Sequence, residues 1–202
     1  TEQNEKAIRY VASNMIKEDP KIAITFDDGP SPAWTPQLLD GLKERNVKAT
    51  FFLIGENAEN TSELVKRESE EGHLVGNHTY HHVEITRVPD ETAKEEILMT
   101  NEVITGITGE EVSYMRPPFG AWQKKLEWEL DVMPVMWTID PLDWTTNNED
   151  EIVNKVVTQA KENDIILLHD CYESSVNAAL RIVDILQKEG FEFVTVDELI
   201  MN

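Results

Sequence analysis

An apolar run, Ile22-Ala23-Ile24-Thr25-Phe26, ends in two adjacent carboxylates, Asp27 and Asp28, and then in Gly29-Pro30. The run reads as a short strand, and Gly-Pro breaks the backbone into a turn. Successive strand residues point to opposite faces, so neighbouring aspartates serve one cavity only where the strand ends at them. Two like charges this close are costly unless a proton or a cation separates them. The chain must therefore fold so that the end of this strand opens on a polar cavity.

Four of the five histidines lie between His73 and His82. In Asn77-His78-Thr79-Tyr80-His81-His82, the pair His78 and His82 is four residues apart, so one helical turn or a tight loop puts both on one face. Two imidazoles and one carboxylate form a zinc set that leaves positions open for water and substrate. Taken alone, His-x-x-x-His also fits a solvated polar loop.

Other predicted strands end in ionisable residues too. Val112-Ser113-Tyr114-Met115 runs into Arg116-Pro117-Pro118-Phe119-Gly120, and Ile165-Ile166-Leu167-Leu168 into His169-Asp170. Val135-Met136-Trp137-Thr138-Ile139 runs into Asp140-Pro141-Leu142-Asp143-Trp144. Ionisable residues at the C-terminal ends of successive strands read as catalytic in a β/α barrel.

Seven strands are expected, near 21–26, 48–54, 73–76, 112–116, 132–139, 164–168 and 191–194. Helical patterns fill 33–45, 57–71, 90–106, 149–162 and 174–189, and 121–130 fits a short helix. In the last long helix Val176, Ala179, Val183 and Leu186 share one face, and Gly190 is the stop. Asp90-Glu91-Thr92 reads as an N-terminal cap. Alternating strands and helices imply α/β architecture with a parallel sheet. An N-terminal extension, residues 1–19, is expected to be helical, with Ile8, Val11 and Met15 or Ile16 inward; residues 20–202 form the main domain.

The 202 residues suit one domain, and 40% hydrophobic with 28% charged residues is a globular composition. A formal net charge of −21 argues against nucleic acid and anionic membrane surfaces. It fits a solvated acidic surface, with runs such as Glu68-Ser69-Glu70-Glu71 on exposed helix faces, and equally a neutral or cationic ligand. No apolar run is long enough to cross a membrane, so no membrane insertion is expected. The single cysteine, Cys171, precludes an internal disulfide; beside His169-Asp170 it fits either a site role or a small buried apolar residue.

The chain resembles the polysaccharide deacetylases, the family 4 carbohydrate esterases. The resemblance rests on Thr25-Phe26-Asp27-Asp28-Gly29-Pro30, His78-Thr79-Tyr80-His81-His82, Arg116-Pro117-Pro118-Phe119-Gly120, Asp140 to Trp144, and Leu168-His169-Asp170, in that order. It covers residues 20 to 200. His81 stands where Ser is common, and Phe119 where Tyr is common.

The resemblance implies a distorted (β/α)7 barrel and a deacetylase working on a glycan. The substrate would be N-acetylglucosamine units of peptidoglycan or chitin-like glycans; acetylated xylan is the alternative, and a non-catalytic carbohydrate-binding module a weaker one. Asp28, His78 and His82 would hold a divalent metal, zinc before cobalt or nickel. Asp27 would be the general base, oriented by Arg116, and the Phe119 amide would stabilise the oxyanion. His169 would protonate the leaving group, oriented by Asp143 or Asp140. Trp144 and Leu167 would wall a pocket for the acetyl methyl, though Trp144 also fits core packing. His73 reads as packed and His81 as turned away from the metal. Tyr80, Trp122 and Trp137 could stack on sugars or pack in the core. The resemblance further implies a monomer acting outside the cell or in its envelope. Thr1-Glu2-Gln3-Asn4 lacks the basic and apolar parts of a signal peptide, as a mature or trimmed chain would.

Overall fold

The computed structural model describes residues 2–6 and 18–201. Residues 2–6 are helical, whereas Ile8, Val11, Met15 and Ile16, expected inward, fall outside the described residues. The main domain runs β1 (Lys21–Asp27), α1 (Thr35–Glu44), β2 (Thr50–Leu53), α2 (Gly55–Asn60), α3 (Ser62–Glu70), β3 (Leu74–Asn77), α4 (Asp90–Thr108), β4 (Tyr114–Met115) and β5 (Met133–Pro134). It continues α5 (Glu149–Val157), β6 (Ile165–His169), α6 (Glu173–Lys188), β7 (Glu192–Phe193) and α7 (Val196–Ile200).

β1 is the centre of the sheet. Ile22, Ala23, Ile24 and Phe26 are all fully buried, the continuous apolar run of a parallel strand covered on both faces. The strands lie in the order β5-β4-β3-β2-β1-β6, with β7 on the first two residues of β1. Every strand pair is parallel. The register aligns Asp27 with His169 on β6, and Asn77 with Leu53 and Met115 on its two neighbours. Ionisable strand ends thus collect at one end of the sheet. The helices cover its faces, and on α6 the stripe Val176, Ala179, Val183 and Leu186 is fully buried. Gly190, at φ 92°, ends that helix as expected.

The strand expected over 132–139 is shorter. Pro134 has no N–H to donate, and the carbonyls of Val135 and Met136 accept from the Arg116 guanidinium at 3.1 and 3.0 Å instead of from a strand. The chain rejoins β6 through one bridge, Ile139 to Ile166, so the ladder does not close continuously.

Three helix expectations also change. The helix over 57–71 is two helices, α2 and α3, parted at Thr61 (φ −132°, ψ 46°), whose hydroxyl donates to the Asn57 carbonyl. Asp90 lies inside α4 rather than capping it, and Pro89 precedes the first turn without a side-chain cap. Residues 121–130 hold only a 3-10 turn, Lys124–Trp128. α7 carried no sequence signal strong enough to be foreseen. Glu68, expected on an exposed face, turns inward; both its carboxylate oxygens are buried, and burial, helped by Asp170, pushes its carboxyl well above the usual range.

Candidate active site

Asp27 ends β1 inside the protein, and Arg116, just after β4, is fully buried beside it. One guanidinium nitrogen, Nη1, donates to Asp27 Oδ1 at 2.8 Å and to the Thr25 hydroxyl at 2.7 Å. With the two carbonyl bonds of Nε and Nη2, four of the five guanidinium N–H donors are engaged, which fixes the plane of the cation. Its carbon also sits 4.4 Å from the Phe52 ring centroid. Burial pulls the guanidinium pKa down, with Asp27 pulling the other way.

Asp28 follows in the left-handed region, at φ 74°, which swings its carboxylate to the same side as Asp27. Its Oδ1 lies 3.2 Å from His78 Nε2 and 3.3 Å from His82 Nε2. The three ligand atoms lie within 4.8 Å of one another. The other nitrogen of His78, Nδ1, is 2.6 Å from the Arg116 carbonyl. A carbonyl only accepts, so Nδ1 carries a proton, which leaves Nε2 as the atom that can turn a lone pair toward Asp28. Burial pushes His82 down, favouring its neutral form. Asp28 Oδ1 is buried without a hydrogen-bond partner. Three electron-rich atoms facing one point need a proton or a cation between them, so these residues fit a divalent metal. The neighbouring histidines hold the Asp28 carboxyl below its usual range although burial would raise it.

The histidines sit on a tight loop, not a helical turn. Thr79 and His82 both have positive φ, 64° and 57°. The Asn77 side chain anchors the loop: its Oδ1 accepts from the Thr79 amide at 2.8 Å, and its Nδ2 donates to the Ile97 carbonyl at 2.8 Å. The Thr79 and Tyr80 carbonyls accept from the first amides of α2, Gly55 and Glu56.

His169 ends β6. Asp143, buried, accepts from its ring Nδ1 and its backbone N–H, both at 2.8 Å. The sequence left Asp140 and Asp143 open for this place. In the structure Asp143 holds the ring, while Asp140 accepts from the Leu142 amide and lines the cavity. Burial alone would lower the His169 pKa; Asp143, with Asp27 and Asp28 beyond, outweighs it and holds the imidazole at about 9. The free edge, Nε2, is 3.9 Å from Asp28 Oδ2.

These groups floor a cavity of about 420 Å³ with Leu167 in its wall. Its mouth is apolar and open: Phe119 is 68% exposed, Trp144 58%, Leu142 45% and Tyr172 42%. Trp144 is therefore a wall of the cavity and not part of the core. Phe119 turns at φ 60° with its ring edge-on to His82, 5.0 Å away. A hollow of equal volume between Tyr114, Glu127, Leu130 and Met133 contains no histidine.

Of the remaining candidates, most lie away from the cavity. His73 is buried against Phe51, its Nδ1 accepting from the Ala49 amide. Trp122 packs against the apolar cluster that includes Ile85, Met115 and Leu126, and its indole N–H donates to Glu127. Tyr80 bonds Glu59, and His81 turns away from His78 and His82 to Glu96. Trp137 lines the cavity. The Cys171 thiol is pushed up to about 12 by burial and by Asp28, far from a thiolate. Leu142 and Tyr172 had no sequence signal beyond lying beside motif residues.

Residues 14–135 match a family model described as polysaccharide deacetylase. The chain belongs to the polysaccharide deacetylase family. A peptidoglycan-N-acetylglucosamine deacetylase of Bacillus cereus is 39% identical over 199 residues, covering 95% of this chain and 93% of that protein. The peptidoglycan-N-acetylglucosamine deacetylase PgdA of Listeria monocytogenes is 39% identical over 198 residues; the match covers 95% of this chain, which spans only 42% of that relative's length. The solved structure of peptidoglycan deacetylase PdaC from Bacillus subtilis superposes with a TM-score of 0.88 at 38% identity, covering 90% of each chain. Members of the family have a distorted (β/α)7 barrel and use a divalent metal. The fold described above is that architecture, with its ladder open between β5 and β6.

Proposed function

We propose that this chain is a metal-dependent hydrolase that removes N-acetyl groups from N-acetylglucosamine units of peptidoglycan or chitin-like glycans. The observation that carries the reading is the convergence of three bare ligand atoms, from Asp28, His78 and His82, between an Arg116-bound carboxylate and an Asp143-bound imidazole. The names of the relatives support the amide and the glycan. Two imidazoles and a carboxylate suit zinc, and also cobalt or nickel.

A divalent cation held by Asp28, His78 and His82 would polarise the acetyl carbonyl and acidify an attacking water. Asp27, aimed by Arg116, takes the proton of that water as its oxygen bonds to the acetyl carbon. The Phe119 amide donates to the oxygen that gains charge. His169, protonated through Asp143, gives its proton to the departing nitrogen as the C–N bond breaks, leaving acetate and a free amine. Leu167 and Trp144 enclose the acetyl methyl. An amide leaving group needs that proton more than an ester does, so a strongly protonated His169 favours the amide reading.

A peptidoglycan substrate puts the enzyme outside the cell or in its envelope. The test is acetate release from peptidoglycan, chitin oligomers and acetylated xylan in parallel, with chelation and zinc restoration. Release from the first two, abolished by chelator, is expected. Release from xylan alone, or full activity after metal stripping, would overturn the reading.

A further inference from the structure

The loop that carries His78 and His82 is bent against its own backbone preferences. Two of its residues, Thr79 and His82, hold positive φ without being glycine, a conformation that L side chains disfavour. Such a loop keeps its shape only if its surroundings over-determine it. Its start is well tied: Asn77 to α4, and the Thr79 and Tyr80 carbonyls to α2. Its end, where His82 sits, is tied to the loop itself by the Val83 N–H, which donates to the Thr79 hydroxyl at 3.1 Å, and to the rest of the protein by Glu96. Glu96, buried on α4, reaches across with both oxygens. Oε2 accepts from the His81 backbone N–H and Oε1 pairs with His81 Nδ1, each at 2.7 Å.

Both contacts fall on the residue immediately before His82. Together they fix the peptide plane of His81 and the direction of its ring, and so the angle at which the chain enters the left-handed turn at His82. Glu96 is fixed in turn, because it lies in the second turn of a nineteen-residue helix whose Ile97 carbonyl and Asn101 side chain hold the start of the same loop. One helix therefore grips both ends of the histidine loop. We propose that Glu96 is a positioning residue for the metal site: through His81 it holds His82 in the strained backbone that lets its Nε2 meet Asp28 and His78. This rests on the metal site proposed above.

The proposal separates metal affinity from fold. Glu96→Ala frees the end of the loop, which can relax toward ordinary φ. The stability of the metal-free protein then changes little, while zinc must rebuild the strained turn on binding. Zinc affinity, by competition with a chromogenic chelator, is expected to fall about 10–100-fold, the range for loss of an outer partner of a metal ligand. Glu96→Gln can keep both contacts, since the amide oxygen accepts from the His81 N–H and the amide NH₂ can donate to Nδ1; its affinity is expected within threefold of the parent. His81→Ala removes only the ring contact and should fall between. Glu96→Leu, which keeps the helix and the buried bulk, repeats the loss should the alanine variant fold poorly. Thermal unfolding in chelator gives the metal-free stability of each.

A parent protein that takes up no zinc would overturn the metal reading and this inference with it. A parent that binds zinc, with Glu96→Ala and Glu96→Leu binding within threefold, would overturn the inference alone. So would lost affinity matched by an equal loss of metal-free stability, which would make Glu96 a simple structural residue.

Discussion

The two ends of the parallel sheet use histidine in opposite ways. Beside the N-terminal end of β3, His73 packs on Phe51, accepts from the Ala49 amide, and is held down at about 4, chiefly by burial. At the C-terminal end of β6, His169 is nearly as enclosed, yet Asp143 and the two aspartates of β1 hold it at about 9. Burial acts the same way on both. What differs is the company: a peptide N–H that needs a lone pair at one end, carboxylates that need a proton at the other. One end of the sheet spends its polar groups on cohesion, and the other leaves them facing a cavity.

The sharpest way to break this comparison is at Asp27, the one carboxylate assigned both a structural partner and a chemical role. Asp27→Asn should keep its metal, since Asp28, His78 and His82 remain, and should lose about 10²–10⁴-fold in turnover. Metal content beside rate decides it: a variant that arrives metal-free would move Asp27 into the ligand set.

Arg116→Met tests cohesion at the same end. It strands a buried carboxylate and the carbonyls of Val135 and Met136, so unfolding in urea should show a loss of about 3–5 kcal/mol. Adding Asp27→Asn should recover part of it, because the stranded charge is gone.

The two histidines themselves predict opposite pH limbs. The depressed pKa of His73 means that the unfolded chain binds a proton first on acidification. Stability should therefore fall from about pH 6.5 toward 4, by up to roughly 3 kcal/mol, and His73→Gln should flatten that limb. The raised pKa of His169 acts the other way. Its stabilisation is complete below pH 6.5 and is lost as pH rises through about 9, by a similar amount. Asp143→Asn should remove that alkaline limb. Chemical unfolding of chelator-treated protein across pH 4–10 reads both; a flat acid limb in the parent would show His73 is not held neutral.

The smallest effect belongs to the rim. Leu142 holds φ 55° while exposed at the mouth of the cavity. Leu142→Gly should leave stability unchanged or raise it by up to about 1 kcal/mol, since glycine relieves the turn but loosens the unfolded chain. If Leu142 touches the glycan, KM for chitin oligomers should rise several-fold with kcat nearly constant. An unchanged KM would confine the site to the floor.

The sequence made the floor legible because strand ends are punctuated. Asp27-Asp28-Gly29-Pro30, Arg116-Pro117-Pro118 and Leu168-His169-Asp170 each mark where a strand stops, and parallel registry then brings the stops together. β5 was misjudged because Val135 and Met136 look like strand residues, and nothing local reveals that a guanidinium nineteen and twenty residues earlier captures their carbonyls. Glu68 was misjudged because an acidic run on a helix carries no sign of which member turns inward. Glu96 escaped for a related reason: it sits fifteen residues from His81, and nothing in Lys94-Glu95-Glu96 marks which carboxylate turns inward.

The central place of β1 also bears on how the molecule comes into being. The Thr25 hydroxyl bonds the Ile166 carbonyl across 141 residues of chain, and Arg116 reaches Asp27 across 89. During synthesis the two aspartates emerge early and have no imidazole from β6 until most of the chain has followed. Contacts of such sequence separation close slowly. Until β6 arrives, one edge of β1 is bare and can pair with other chains. The order of the motifs along the chain thus makes the active site a late event in folding, and the central strand the segment most in need of protection before it.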